Sequence, residues 1–122
     1  MRCLIVDDSP AMLEAASRLL QREGICVVGV ASNSADALRL LKELRPDVAL
    51  LDIQLGEESG LDLAHRVARL DDGPQTPSIL ISVHPESEFA ALIAASPAAG
   101  FVHKKDLSAT AIHSVLAATR ER

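Results

Sequence analysis

The feature of this sequence that most narrows its fold is a regular alternation of two hydrophobic patterns. Short unbroken aliphatic runs stand at Cys3 to Val6, Cys26 to Ala31, Val48 to Leu51, Ile79 to Ile81 and Phe101 to Val102. Each is too short for a helix and rich in the residues of strands buried on both faces. Between them the apolar residues recur at helical spacing. This alternation predicts five βα units joined by right-handed crossovers, an α/β fold with a doubly wound, five-stranded parallel sheet.

The helical segments carry their own start and stop signals. Ser9 caps and Pro10 opens the first, whose Met12, Ala16, Leu19 and Leu20 form one stripe until Gly24 ends it. The second runs from Asn33 or Ser34 to Arg45, presents Ala37, Leu41 and Leu44, and stops at Pro46. The third is expected from Gly60 to Leu70 on Leu63, Val67 and Leu70. The fourth opens at Pro85, places Glu86 and Glu88 where the helix dipole favours them, and ends before Pro97. Ser108 caps the fifth, with Leu107 and Ile112 spaced as a hydrophobic staple and Val115 and Leu116 completing the stripe.

Composition narrows the function. A chain of 122 residues suits one domain over 1–122, and its core is aliphatic because Phe89 and Phe101 are the only aromatics. No apolar run approaches the roughly 18 residues that span a bilayer. Met1 to Val6, followed by Asp7 and Asp8, does not read as a signal peptide. A cytoplasmic protein without membrane contact is expected. The net charge of −5 argues against direct nucleic-acid contact by this segment. Cys3 and Cys26 form neither a disulfide framework nor a metal set and are expected as small buried hydrophobes.

Parallel sheets of this kind bind ligands where loops leave the carboxyl ends of the strands. Asp7 and Asp8 follow the first run, Asp52 the third, Ser82 the fourth and Lys104 the fifth. Separately, each has an ordinary reading as a turn residue, a cap or a solvated charge. Together they would converge in one crevice. Clustered carboxylates repel and raise a pKa unless a cation compensates. The oxygen set suits Mg²⁺ or Mn²⁺, the lysine suits a phosphoryl group, and a carboxylate can itself be the nucleophile. No Gly-rich loop precedes a Lys-Ser or Lys-Thr pair, so a nucleotide P-loop is not indicated.

These residues are where the sequence resembles a known family. V-D-D-S at 6 to 9, L-L-D-I at 50 to 53, G-L-D at 60 to 62, I-S at 81 to 82 and G-F-V-H-K at 100 to 104 resemble the receiver domain of two-component response regulators. The resemblance covers essentially the whole chain and implies a flavodoxin-like fold with sheet order 2-1-3-4-5. It implies Asp52 as phosphoryl acceptor and Asp8 as a direct metal ligand, with Asp7 acting through a water. Asp52 and the backbone carbonyl of Gln54 would also face the metal. Ser82 and Lys104 would bind the phosphoryl group, and Phe101 would turn inward as Ser82 moves. Gln54 and His84 resemble positions that tune dephosphorylation. The implied donor is a sensor histidine kinase or phosphotransfer protein, with slow autodephosphorylation, homodimerisation on activation and an output surface of helix 4, strand 5 and helix 5.

Several positions depart from the family pattern. Gly56 stands where many relatives have Pro, which suggests a more mobile loop; Val83 is bulkier than the usual Ala or Ser; Lys105 follows Lys104 where Pro is common. The three-residue step from Phe101 selects Lys104 for the site. His84 reads equally as a cap for the helix at Pro85, while His65, His103 and His113 share no metal spacing. Gly60 reads as shaping its loop and Phe89 as packing. Two other functions compete: a phosphorylation-independent interaction scaffold, and a phosphatase-type hydrolase. The hydrolase would need an acid where Gln54 stands. The wording leans toward regulators with a helix-turn-helix output, and the R-E-R ending at Arg122 suits either a free-standing unit or one joined to a further part.

Overall fold

Alternation of side chains across a sheet decides where each aliphatic run buries its residues. In a computed structural model that describes residues 1–70 and 76–120, the five runs form parallel strands β1 (Arg2–Val6), β2 (Cys26–Ala31), β3 (Val48–Asp52), β4 (Ser78–Ser82) and β5 (Gly100–His103), in the order β2-β1-β3-β4-β5. This is the doubly wound, flavodoxin-like order expected. Cys3, Ile5, Leu50, Ile79 and Ile81 face one side and pack with Ala16, Leu20, Ile112 and Leu116. Leu4, Val6, Ala49, Leu51 and Leu80 face the other and pack with Ala37, Leu41, Leu63 and Val67.

Four helices supply those partners, α1 (Pro10–Arg22), α2 (Ser34–Leu44), α3 (Gly60–Ala68) and α5 (Ala109–Arg120), while the short α4 (Ala90–Ala94) supplies none of them. The capping signals act as read. Ser9, Asn33 and Ser108 accept hydrogen bonds from the N–H groups of Met12, Asp36 and Ala111. Gly24 takes a left-handed φ of 88° after α1, a conformation open to glycine at little cost. Along α1 the buried stripe uses Leu13 beside Met12, Ala16 and Leu20, with Leu19 outside both core clusters. The end of α2 is fastened to the start of β1: the Arg2 guanidinium donates to the carbonyls of Leu44 (2.7 Å) and Arg45 (3.0 Å).

Three local expectations need correction. The fourth helix does not run unbroken from Pro85: a 3₁₀ turn at Glu86–Glu88 is followed by a break at Phe89 (φ −122°, ψ 8°) and a helix of only five residues. Its start signals lack a stripe to act on, since neither segment buries a residue and helices in proteins depend mainly on packing of an apolar face. The third helix ends at Ala68, short of Leu70. Cys26 is exposed while Cys3 is buried, because Cys26 begins β2, an edge strand. Burial alone pushes the Cys3 thiol up to about 12. Of the R-E-R ending, Glu121 and Arg122 lie outside the described residues.

The contrast between β4 and α4 gives a stability prediction. Ile81→Ala, at a fully buried position, is expected to cost about 2–5 kcal/mol in urea unfolding. Leu92→Ala, 58% exposed on α4, is expected to stay within about 0.5 kcal/mol.

Candidate functional site

Because the strands are parallel, their carboxyl ends share one edge, and every predicted site residue except Phe101 sits at or just past it. Asp7 and Asp8 follow β1, and the Asp7 backbone N–H donates to the Ala31 carbonyl at 3.0 Å, continuing the β1–β2 pairing. Asp52 ends β3 and Ser82 ends β4; Lys104 opens a 3₁₀ turn (Lys104–Asp106) directly after β5. Asp7 is fully buried, Asp52 is 5% exposed and Ser82 1%.

The Lys104 ammonium ties the cluster together. Its Nζ lies 2.7 Å from Asp7 Oδ2 and 3.1 Å from Asp52 Oδ2, and it donates a hydrogen bond to the latter. Asp7 Oδ1 accepts from the Ser9 N–H (2.9 Å), and Asp52 Oδ1 from the Gln54 N–H (3.2 Å). Lys105 is exposed, and its backbone N–H donates to His103 Nδ1. Burial pushes the Asp52 carboxyl above its ordinary range; the hydrogen bond and charge of Lys104 oppose this, and the charge of Asp7 adds to it. For Lys104, burial pulls downward, but its hydrogen bonds and attraction to Asp7 and Asp52 prevail, so the ammonium is held above the usual lysine range.

One ammonium therefore serves two carboxylates. Asp7 Oδ2 is buried with Lys104 Nζ as its ion-pair partner, and the same nitrogen also serves Asp52 Oδ2. Three clustered carboxylates facing one lysine leave excess negative charge, which a further cation would offset. Asp7, Asp8 and Asp52 each offer an oxygen within 4.8 Å of the others, the sole group of its kind among the described residues. Asp8 is exposed and meets solvent. A hard divalent ion bound by carboxylates while keeping waters fits this donor set.

Asp8 and Asp52, but not Asp7, line a cleft of about 590 Å³ whose other walls include Gln54, Gly56, Glu58, Ser82 and Lys104, with Val83, Phe89 and Leu92 on the α4 side. Gln54–Leu55 pairs antiparallel with Glu58–Ser59 in a small ribbon absent from the sequence reading. Gly56 turns it at φ 61°, a left-handed conformation that proline, locked near −65°, does not adopt. The departure at Gly56 is therefore a turn requirement, set beside Asp8. Gly60 seats the root of the ribbon: a Cβ built there would collide with the Asp52 carbonyl oxygen, and its N–H donates to the Ile53 carbonyl at 2.8 Å.

Phe101 and His84 lie outside the residues lining this cleft. Phe101 is half-buried against the core and borders a separate groove with Val102, Ala111 and Val115. The His84 backbone N–H donates to Ser82 Oγ (3.0 Å), while its ring sits 3.6 Å from Glu88 and edge-on to Phe89. No side-chain cap forms at Pro85. Val83, 61% exposed, stands at the cleft wall. The sequence reading missed Glu58, which lines the cleft and accepts from the Ser34 N–H across 24 residues. Nothing in the local pattern signals that pairing.

Asp52 binds its proton more tightly folded than unfolded, so ionising it opposes folding. That opposition is absent below the ordinary Asp value of about 3.9, grows as pH rises above it, and is complete once pH exceeds the raised folded value. Lys104 contributes oppositely: its stabilisation is present below about 10.4 and is lost as pH rises through its own raised value. Asp52→Asn is therefore expected to melt higher than the parent at neutral pH in a chelator, the gap closing as pH falls below about 4. A lower melting temperature for the variant at neutral pH would contradict this.

Comparison with known proteins follows the same lines. The sequence profile of the response regulator receiver domain matches residues 3–117. The signal receiver domain of NarL from Mycobacterium tuberculosis is 34% identical with a TM-score of 0.82, covering 99% of this chain and 97% of that one. A two-component response regulator of the LuxR family from Aurantimonas sp. SI85-9A1 is 28% identical with a TM-score of 0.81, covering 99% and 86%. BvgA of Bordetella pertussis, named for positive regulation of transcription of virulence factors, is 33% identical over 105 residues, 86% of this chain and 49% of its own. The chain spans about half the length of such curated relatives. It belongs to the family of response regulator receiver domains.

Proposed function

We propose that residues 1–122 form a phosphorylation-controlled signalling unit in which Asp52 accepts a phosphoryl group from a phosphohistidine on a sensor histidine kinase or phosphotransfer protein. The observation that carries this reading is the Lys104 ammonium held between Asp7 and Asp52, in a cluster whose third carboxylate, Asp8, leaves negative charge in excess. Asp8 and Asp52 would hold Mg²⁺ or Mn²⁺ directly, Asp7 through a water, and the Gln54 carbonyl would complete the protein donors. The ion, when bound, neutralises charge on the transferring group.

An Asp52 carboxylate oxygen bonds to phosphorus as the P–N bond breaks, and the leaving imidazole keeps the electron pair and takes a proton. There is little other covalent chemistry, so positioning and charge carry the step. Lys104 is close enough to exchange its Asp52 contact for a phosphoryl oxygen. The new group adds about −1.5 to −2 charge and draws Ser82 Oγ toward it, which releases the His84 N–H; Phe101 then turns into the space. This biases the surface of α4, β5 and α5 between two states, including a homodimer of the phosphorylated form. Gln54 and His84 tune the slow loss of the phosphoryl group.

The output is proposed as transcription control through a DNA-binding part outside this sequence, in line with the naming of BvgA. This segment itself makes no nucleic-acid contact. A cytoplasmic location suits that role; among the described residues no helix is long and apolar enough to cross a membrane. The clustered carboxylates count against a phosphorylation-independent scaffold, which has no use for costly buried charge.

Incubation with acetyl phosphate and Mg²⁺ is expected to label the chain once, detected by intact mass, with labelling abolished in Asp52→Ala and by chelation. Undiminished labelling of Asp52→Ala would sink the assignment, and sustained turnover of phosphate esters would favour the hydrolase.

A further inference from the structure

Glu58 is the cleft residue whose bonding points away from the chemistry. Its Oε1 accepts from the backbone N–H of Ser34 at 3.0 Å. Ser34 is buried and opens α2. The first N–H groups of a helix have no partner within it, and a carboxylate there is favoured by the dipole. Asn33 serves Asp36 by accepting its N–H at 2.9 Å; Glu58 serves Ser34. The bond joins the outer strand of the small ribbon to a helix on the far side of the loop.

That ribbon bonds one of the three clustered carboxylates and passes close to a second. Gln54 donates its N–H to Asp52 Oδ1, and a Cβ built on Gly56 would lie 3.7 Å from Asp8 Oδ2. Its root is fixed by buried Leu55 and by the Gly60 N–H bond to Ile53. Its outer strand, Glu58–Ser59, has the Glu58 bond as its anchor to α2.

We propose that Glu58 is a positioning residue: by bonding the Ser34 N–H it sets the place of the 54–59 ribbon, and through it the divalent-cation affinity of the Asp7, Asp8 and Asp52 cluster. The proposal rests on reading that cluster as a metal-dependent phosphoryl acceptor. The relevant property is the carboxylate's acceptor oxygen, not its charge. Glu58 lies outside the group of carboxylates close enough to share an ion, so it acts through the ribbon and not as a ligand.

The test is calorimetric Mg²⁺ titration of the full chain, with melting temperature in chelator measured in parallel. Glu58→Ala removes the acceptor and is expected to weaken Mg²⁺ binding about tenfold, the scale on which outer partners of metal ligands act. Glu58→Gln keeps an acceptor carbonyl without the charge and is expected to recover affinity to within about twofold of the parent. Ser34→Pro removes the donor from the other side at a helix position that tolerates proline. It should reproduce Glu58→Ala, and the double variant should be no weaker than either. Equal weakening by Glu58→Gln and Glu58→Ala would show a charge effect and overturn the proposal. So would a lowered melting temperature in Glu58→Ala with Mg²⁺ affinity unchanged, which is a purely structural role. A parent chain that binds no Mg²⁺ would remove the acceptor reading and this one with it; a parent that binds and variants that match it would remove this one alone.

Discussion

Two carboxylates buried at the end of a parallel sheet are tolerated here because a lysine from the edge of that sheet reaches both. Asp7 and Asp52 end adjacent strands, and Lys104 follows β5, which is separated from β3 by β4. Neighbouring strands are about 4.8 Å apart, so the ammonium has to pass over the end of β4. Ser82, a small side chain, stands at that end. A bulkier residue there would compete with the lysine for the same space, and uncompensated charge in this setting costs several kcal/mol for each ion. The arrangement is balanced without being saturated, since one ammonium serves two carboxylates and burial still holds Asp52 above its ordinary range.

The loop after Asp52 is built to the same tolerance. Gly60 presses against the Asp52 carbonyl where no side chain fits, so the start of α3 and the end of β3 are fixed relative to each other. Gly56 turns the ribbon in a left-handed conformation close to Asp8. The acidic side of the site is thus defined by backbone, with Asp7 and Asp52 projecting from strand ends that are themselves buried.

What the sequence made legible follows from how local each cause is. Asp7, Asp8, Asp52, Ser82 and Lys104 could be placed because each follows an aliphatic run within two residues, and the runs before Asp7, Asp52 and Ser82, buried on both faces, leave little choice of register. Helix starts at Ser9, Asn33 and Ser108 were equally local, resting on a side chain and an N–H a few residues on. Helix 4 was misread because Pro85, Glu86 and Glu88 supply a start without a buried stripe to sustain it. The exposure of Cys26 depends on β2 being an edge strand, which a run of strand-forming residues does not reveal. The ribbon at 54–59 and the Glu58 bond to Ser34 depend on a backbone turn and a contact between distant segments, so no spacing rule encodes them.

The two walls of the cleft differ in how firmly they are held, and this bears on the proposed switch. The β3–α3 side is packed and bonded at its root, whereas α4 is five residues long, buries none, and carries Leu92 at 58% exposure. Segments with few buried contacts open at low free energy. The His84 N–H bond to Ser82 Oγ connects that weak segment to the cleft. If Ser82 Oγ turns to a phosphoryl oxygen, the bond is lost, and residues 84–94 have half-buried Phe89 and Ile93 to hold them against the core. A small displacement at Ser82 would then shift α4 because α4 has little else to resist it, while the carboxylate side keeps its geometry.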